Sequence, residues 1–177
     1  MLVLGDYTEL SPTANKNVTL SLLNGDLAKV WKRCGLTANY GANYMFPHDE
    51  ETRQNSLSVV LNELLENATK YSTQQLGTID VYLLSIDKGV LFQVDNYVSA
   101  EQYDVFLQYA QEIINCQDLN EKYLKKLQAI NPQDITTSGR IGLLSIMNFF
   151  SIKMGFKFTK LDDSDGYKVS VQTLIYL

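Results

Sequence analysis

Residues 57–72 read LSVVLNELLENATKYS, and this stretch decides the fold that we predict for the chain. At about 100° per residue, its apolar side chains fall on one stripe, which is typical of a long amphipathic helix. Three polar residues, Glu63, Asn67 and Lys70, fall together along one edge of that stripe. A carboxylate, a carboxamide and an ammonium group are therefore expected in a column between core and solvent. The stripe consists of Leu57, Val60, Leu61, Leu64, Leu65, Ala68 and Tyr71.

The column of polar residues suggests one chemistry and also allows a simpler explanation. Asn67 offers a neutral oxygen that suits Mg²⁺, a metal ion that commonly takes substrate phosphates as further ligands. Glu63 could deprotonate a group that attacks a phosphoryl group, and Lys70 could place positive charge near phosphate oxygens. The alternative is an ordinary amphipathic helix with solvated polar residues, in which Glu66 and Lys70 form an i,i+4 ion pair.

The composition limits the class of protein. A chain of 177 residues with 45% apolar and 20% charged residues is typical of one globular domain with a substantial core. The net charge of −5 argues against nucleic acid or an anionic membrane as the main partner. Cys34 and Cys116 lack the spacing of a disulfide framework or a metal site. We therefore expect a single domain over residues 1–177 of a cytoplasmic protein.

Alternating apolar and polar residues predict strands on both sides of the long helix. Residues 77–86 and 90–94 are expected to form an antiparallel hairpin whose second strand ends at Asp95-Asn96. The predicted architecture is α+β, a two-layer α/β sandwich in which a mixed, mainly antiparallel sheet carries helices on one face. The predicted strands are residues 2–4, 18–22, 77–86, 90–94, 156–159 and 167–177.

A shorter helix is expected before the long one. Asp26 is a good N-cap for it, and Gly35 is the predicted stop. Residues 36–47 follow without a clear pattern. The only histidine, His48, comes directly after a proline and is interpreted as a surface residue at a helix start rather than a phosphoacceptor.

The segment ELLENATKYS, residues 63–72, closely resembles the N box of the GHKL superfamily. This superfamily includes gyrase-type ATPases, histidine kinases and anti-sigma-factor serine kinases. The resemblance implies that Asn67 is the Mg²⁺ ligand and that Glu63 is the general base. It also implies that Lys70 is the basic residue of the motif, beside the phosphates of bound ATP.

The end of the predicted hairpin resembles the G1 motif of the same superfamily in one residue. Asp95 stands where that motif has an aspartate, which accepts a hydrogen bond from the adenine amino group. Tyr97 and Ser99 occupy the positions of the two glycines that follow. Those glycines let the backbone approach the nucleotide closely. Their replacement favours a degenerate site, and an ordinary aspartate at a strand end is the alternative for Asp95.

Residues 98–138 correspond to the ATP lid of the superfamily. Capping signals at Ser99 and Asp118 predict two helices there, which are equally compatible with a packed cap or a partner-binding surface. Gly139, Arg140 and Gly142 then open an apolar helix that is expected to stop at Gly155. This opening resembles the G2 box, whose helix N-terminus cradles phosphates. Arg140 replaces one glycine, where it either contacts phosphate or fills the pocket.

The resemblance covers roughly residues 17–177 and is closest to stand-alone bacterial anti-sigma-factor serine kinases and SiaB-type protein kinases. It implies an ATP- and Mg²⁺-dependent serine/threonine kinase of a partner-switching system. Its partner would be a signalling protein such as a STAS-type antagonist or a response regulator, and a homodimer is one expected form. The alternative is a degenerate GHKL module that binds a signalling partner without nucleotide turnover.

These assignments make a geometric prediction. Glu63, Asn67 and Lys70 should line one concave site that Asp95 and residues 139–142 also border. If Asp95 lies on the opposite side of the sheet from Asn67, the GHKL interpretation is contradicted.

Overall fold

The computed structural model describes residues 1–10, 17–47, 51–73, 77–86, 89–129, 141–162 and 164–176. Six strands and six helices lie in this part of the chain. The strands are β1 (Leu2–Gly5), β2 (Asn17–Leu23), β3 (Thr78–Ile86), β4 (Gly89–Val98), β5 (Lys153–Lys160) and β6 (Tyr167–Tyr176). The helices are α1 (Asn24–Lys29), α2 (Lys32–Met45), α3 (Glu51–Tyr71), α4 (Ala100–Ile114), α5 (Leu119–Gln128) and α6 (Gly142–Phe150).

The strands form one sheet in the order β1-β5-β6-β4-β3-β2. All five neighbouring pairs are antiparallel, so the expectation of a mixed sheet is wrong for the described strands, while the α+β class is confirmed. β1 and β2 are consecutive in the chain but lie at opposite edges of the sheet. The chain between them therefore has to pass from one edge to the other.

The helices lie over one face of the sheet. α3 packs against β3 and β4 and is in contact with α2 and α6. Phe106 of α4 covers β5, with its ring centroid 5.9 Å from that of Phe156 and 6.1 Å from that of Phe158. Six of the seven stripe residues of α3 are buried and Tyr71 is half-buried, so the predicted apolar face of this helix is confirmed. No helix in the described ranges is both long and apolar enough to cross a membrane.

The predicted N-caps of both lid helices are present, and the one at α4 is a complete capping box. Ser99 and Gln102 form a complete capping box at the start of α4, with hydrogen bonds of 3.2 and 3.1 Å. Asp118 caps α5 by accepting a hydrogen bond from Glu121 N at 2.8 Å. The Glu121 carboxylate pairs with Lys125 at 2.7 Å along the helix. At α5 the side chain of Glu121 thus forms an i,i+4 ion pair within the helix.

Several predicted boundaries are wrong. Asp26 lies inside α1 rather than at its N-cap, and Gly35 lies inside α2, which continues to Met45. Helix α2 continues past Gly35 because its buried residues, Cys34 and Ala38 among them, pack into the core. β4 does not end at Asp95-Asn96 but continues to Val98, since it pairs with β6 over its whole length.

The end of α6 also differs from the expectation. The helix ends at Phe150, and Ser151 follows in the left-handed conformation with φ of 50°. Gly155, the predicted stop, lies in β5 and pairs with Gly5 and Gln172. The chain therefore reverses before the glycine rather than at it.

Candidate functional site

The beginning of α6 lies directly against the polar edge of α3. Gly142 is the first residue of α6, and a Cβ atom built on it would overlap Glu63 Oε2 and lie 3.1 Å from Asn67 Nδ2. A larger residue at this position would displace the Glu63 carboxylate. The structure thus brings together Glu63, Asn67 and Gly142, which come from two distant parts of the sequence.

The environment of Glu63 and Asn67 suits a hard metal ion. Asn67 Nδ2 donates to the main-chain oxygen of Glu63 at 2.6 Å, which leaves Asn67 Oδ1 for another ligand. Burial raises the pKa of the Glu63 carboxyl above its usual value, and the charge of Glu66 raises it further. A neutral carboxamide oxygen is among the few protein ligands that Mg²⁺ takes besides water and phosphate. The geometry is therefore compatible with the predicted role of Asn67 as a Mg²⁺ ligand, with the Glu63 carboxylate beside it.

Lys70 lies at the solvent end of the same column. Its side chain is exposed, and its Nζ lies 5.8 Å from the centroid of the Tyr71 ring. Glu66, its expected i,i+4 partner, accepts a hydrogen bond from Asn62 Nδ2 at 2.8 Å. The three atoms nearest to a Cβ on Gly142 belong to Glu63 and Asn67, and none of them belongs to Lys70.

Asp95 lies on the face of the sheet opposite to α3, and this placement contradicts its predicted role. Its carboxylate accepts a hydrogen bond from Gln93 Nε2 at 2.8 Å and forms an ion pair with Lys168 Nζ at 2.7 Å. The residue is 1% exposed. A base lying beside Asn67 could not donate its amino hydrogen to Asp95. The prediction that Asp95 borders the same site as Asn67 is therefore wrong.

Asn96 is the polar residue of β4 that faces α3, and the sequence interpretation missed it. Its Nδ2 donates to Ser72 Oγ at 3.1 Å and approaches Ala68 O at 3.4 Å. Side chains alternate between the two faces of a strand. The apolar residues Val90, Phe92 and Val94 face the helices, so the same alternation places residue 96 there and residue 95 on the other face. This signal was present in the sequence.

A small cavity lies between α3, β4, α4 and α6. Asn67 and Asn96 line it on the polar side, and Tyr71, Phe106 and Leu143 line it among apolar residues. Its volume is about 10 Å³. A cavity needs at least about 10–15 Å³ to hold one water molecule. This cavity between the described side chains is therefore too small to hold a base.

Other predicted residues lie outside the described part of the chain. Gly139 and Arg140 belong to this group, as do His48 and the lid beyond Ala129. Of the predicted phosphate-binding turn, only Ile141 and Gly142 are described. The roles expected for Gly139 and Arg140 stay predictions.

The chain matches no protein-family model and no curated protein sequence.

Proposed function

We propose that this chain is a cytoplasmic signalling module that binds a protein partner without turning over nucleotide. The observation that carries the proposal is the packing between α3, β4, α4 and α6, where the cavity measures only about 10 Å³. Ligand pockets ordinarily enclose about 300–1,000 Å³. Phe106 packs into this region, and Asp95, the expected adenine ligand, faces the other side of the sheet. The degenerate alternative is therefore better supported than the kinase.

The helices of the expected lid offer a surface for the partner. None of the residues of α5 is buried, and Leu124 and Leu127 are 48% and 39% exposed. Phe149 of α6 is 66% exposed and packs edge-on against Tyr123 of α5, with the ring centroids 5.2 Å apart. Exposed apolar side chains on a soluble domain often mark protein interfaces. The partner class is a signalling protein such as a STAS-type antagonist or a response regulator.

Thermal unfolding with and without millimolar Mg²⁺–ATP tests the absence of nucleotide binding. A ligand that binds only the folded state at 100 times its Kd stabilises it by about 2.7 kcal/mol, which a melting curve resolves. We expect no shift for the wild type and none for Asn67→Ala. A saturable shift of the wild type that Asn67→Ala abolishes would contradict the proposal.

Calorimetry with a STAS-type antagonist or a response regulator from the same source tests the partner surface. Leu124→Glu places a charge on α5 and should weaken binding without affecting stability, because the residue is exposed. Val105→Glu, at a similarly exposed apolar position of α4, is the matched control and should bind as the wild type does. Equal binding by all three proteins would show that the partner uses another surface.

A second function, an ATP- and Mg²⁺-dependent serine/threonine kinase, is favoured by the contact of α6 with Glu63 and Asn67. In this case Asn67 Oδ1 would hold Mg²⁺, and the raised pKa of Glu63 would suit a base that accepts the proton of a substrate serine. Main-chain amides at the start of α6 would face phosphate. Phe106, which lines the cavity of about 10 Å³, would have to move for a base to enter there.

Transfer of labelled phosphate from ATP to the partner protein separates the two functions. The kinase requires that Asn67→Ala loses Mg²⁺-dependent binding, whereas Glu63→Gln retains binding and loses transfer. Glu66→Gln, on the same helix, is the matched control and should retain both. Transfer that survives in Glu63→Gln at the wild-type rate would contradict the assigned base.

A further inference from the structure

The chain that follows β1 crosses the outer face of the sheet, which is the face opposite to the helices. We call residues 6–10 the strap. Asp6 N donates to Met154 O at 3.0 Å, so the strap begins beside β5. A Cβ atom built on Gly155 would lie 2.5 Å from both N and Cα of Tyr7. Residue 155 must therefore lack a side chain for the strap to lie this close to the sheet.

Gln172 of β6 holds the main chain of the strap. Thr8 N donates to Gln172 Oε1 at 2.8 Å, and Gln172 Nε2 donates to Thr8 O at 2.8 Å. Gln172 is 0% exposed, so its carboxamide lies beneath the strap. Because both hydrogen bonds go to main-chain atoms, this contact recognises an extended backbone and not a particular side chain.

Two side chains of the strap add selective contacts. Tyr7 OH donates to Gln93 Oε1 at 3.2 Å. Glu9 Oε1 pairs with Lys157 Nζ at 2.6 Å, although these residues are 148 positions apart in the chain. A phenol hydroxyl and, two positions later, a carboxylate thus meet complementary groups on the sheet.

The strap covers the outer face, and three of its five residues are exposed to solvent. Polar groups that are buried without a hydrogen-bond partner are costly, so a polypeptide or water has to lie over them. Asp6, Thr8 and Glu9 are themselves exposed, and segments with few buried contacts open at low free energy. Four polar side chains on this face are nearly inaccessible to solvent: Gln93, Asp95, Ser170 and Gln172.

We propose that the outer face of the sheet is a peptide-binding site, that the strap is its resident occupant, and that a protein partner replaces the strap there. The partner segment is extended and has a tyrosine followed two residues later by an acidic residue. Its main chain binds Gln172, its hydroxyl binds Gln93 and its carboxylate binds Lys157. This proposal goes beyond the function proposed above, because it adds a second partner surface on the face of the sheet opposite to α3.

Binding of a labelled peptide to the full chain tests the exchange. The peptide is LGDYTEL, the sequence of residues 4–10, with a fluorophore at one end. In the wild type, the tethered strap competes at an effective concentration on the order of millimolar. The double variant Tyr7→Ala, Glu9→Gln loosens the strap and leaves the sheet unchanged. We expect this loosened chain to bind the peptide at least tenfold more tightly than the wild type, measured by fluorescence anisotropy.

Two further variants of the loosened chain locate the peptide. Gln172→Leu removes the contact with the peptide main chain and should abolish binding. Lys157→Glu should abolish binding of LGDYTEL and restore it for LGDYTKL, a charge exchange that an unfolded protein could not show. No saturable binding by the loosened chain, or binding that is indifferent to both variants, would overturn the proposal. A Mg²⁺–ATP shift of the wild type would instead overturn only the proposed absence of nucleotide binding.

Discussion

Asp95 should behave as a structural residue, and its removal should destabilise the fold. Asp95→Ala takes away the acceptor that Lys168 Nζ and Gln93 Nε2 now share at 2.7 and 2.8 Å. Removing one partner of a fully buried ion pair costs about 3–5 kcal/mol. The Lys168 side chain is 32% exposed, so water still solvates part of its ammonium group. We therefore expect a loss of about 3 kcal/mol, at the low end of that range.

Urea denaturation measures this loss, and the slope of the free energy against urea concentration should not change. Lys168→Met in the same chain removes the cation that Asp95→Ala leaves unpaired. The cost of the double variant should therefore be smaller than the sum of the two single costs, by a coupling of about 0.5–3 kcal/mol. Asp80→Ala, directly opposite on β3 and bonded to Ser21 near the surface, is the control and should cost much less. A loss of under about 0.5 kcal/mol for Asp95→Ala would refute the structural role.

Three other substitutions probe the helices around the candidate site. Glu63→Gln should increase the free energy of unfolding at pH 7–8, because burial raises the pKa of Glu63 above its usual 4.5 and its ionisation opposes folding. This gain should vanish below pH 4.5, where folded and unfolded chains both hold the proton, and urea denaturation across pH checks it. Phe106→Ala should cost about 3–5 kcal/mol in the same assay, since it removes a buried ring; a loss of less than about 1 kcal/mol would contradict the packing of α4. Ser99→Ala should cost about 1 kcal/mol by removing the cap of Gln102 N, whereas Ser99→Thr should retain most of it.

The elements that the sequence predicts well depend on neighbours a few residues away. The stripe of α3 follows from helical periodicity, and the β3–β4 hairpin follows from alternation. Ser99 and Asp118 cap their helices through hydrogen bonds to residues three positions later. The alternation in β4 also predicts that residue 96 faces the helices and that residue 95 lies on the other face. The sequence alone therefore argues against a position of Asp95 beside Asn67.

The helix stops predicted at two glycines are wrong, because the role of a glycine depends on the residues that pack against it. Gly35 resembles a helix stop, but α2 continues past it since burial of its other residues outweighs the conformational preference of one glycine. Gly155 resembles another stop, but it lacks a side chain because the strap lies on it. No residue near either glycine in the sequence distinguishes these roles.

The candidate site at Glu63 and Asn67 depends in part on tertiary structure, and the strap site depends on it entirely. The motifs place Glu63 and Asn67 on one helix edge, but their contact with Gly142 and the filling of the adjacent space by Phe106 depend on how α4 and α6 pack. The strap carries no local signal at all, because Thr8 and Gln172 are 164 positions apart and their complementarity exists only once the sheet is assembled. Periodicity and capping act over one or two turns, whereas contacts between distant segments depend on the free energy of the whole core. For that reason the helices and strands can be predicted from the sequence of this protein, while the closed cavity and the covered outer face cannot.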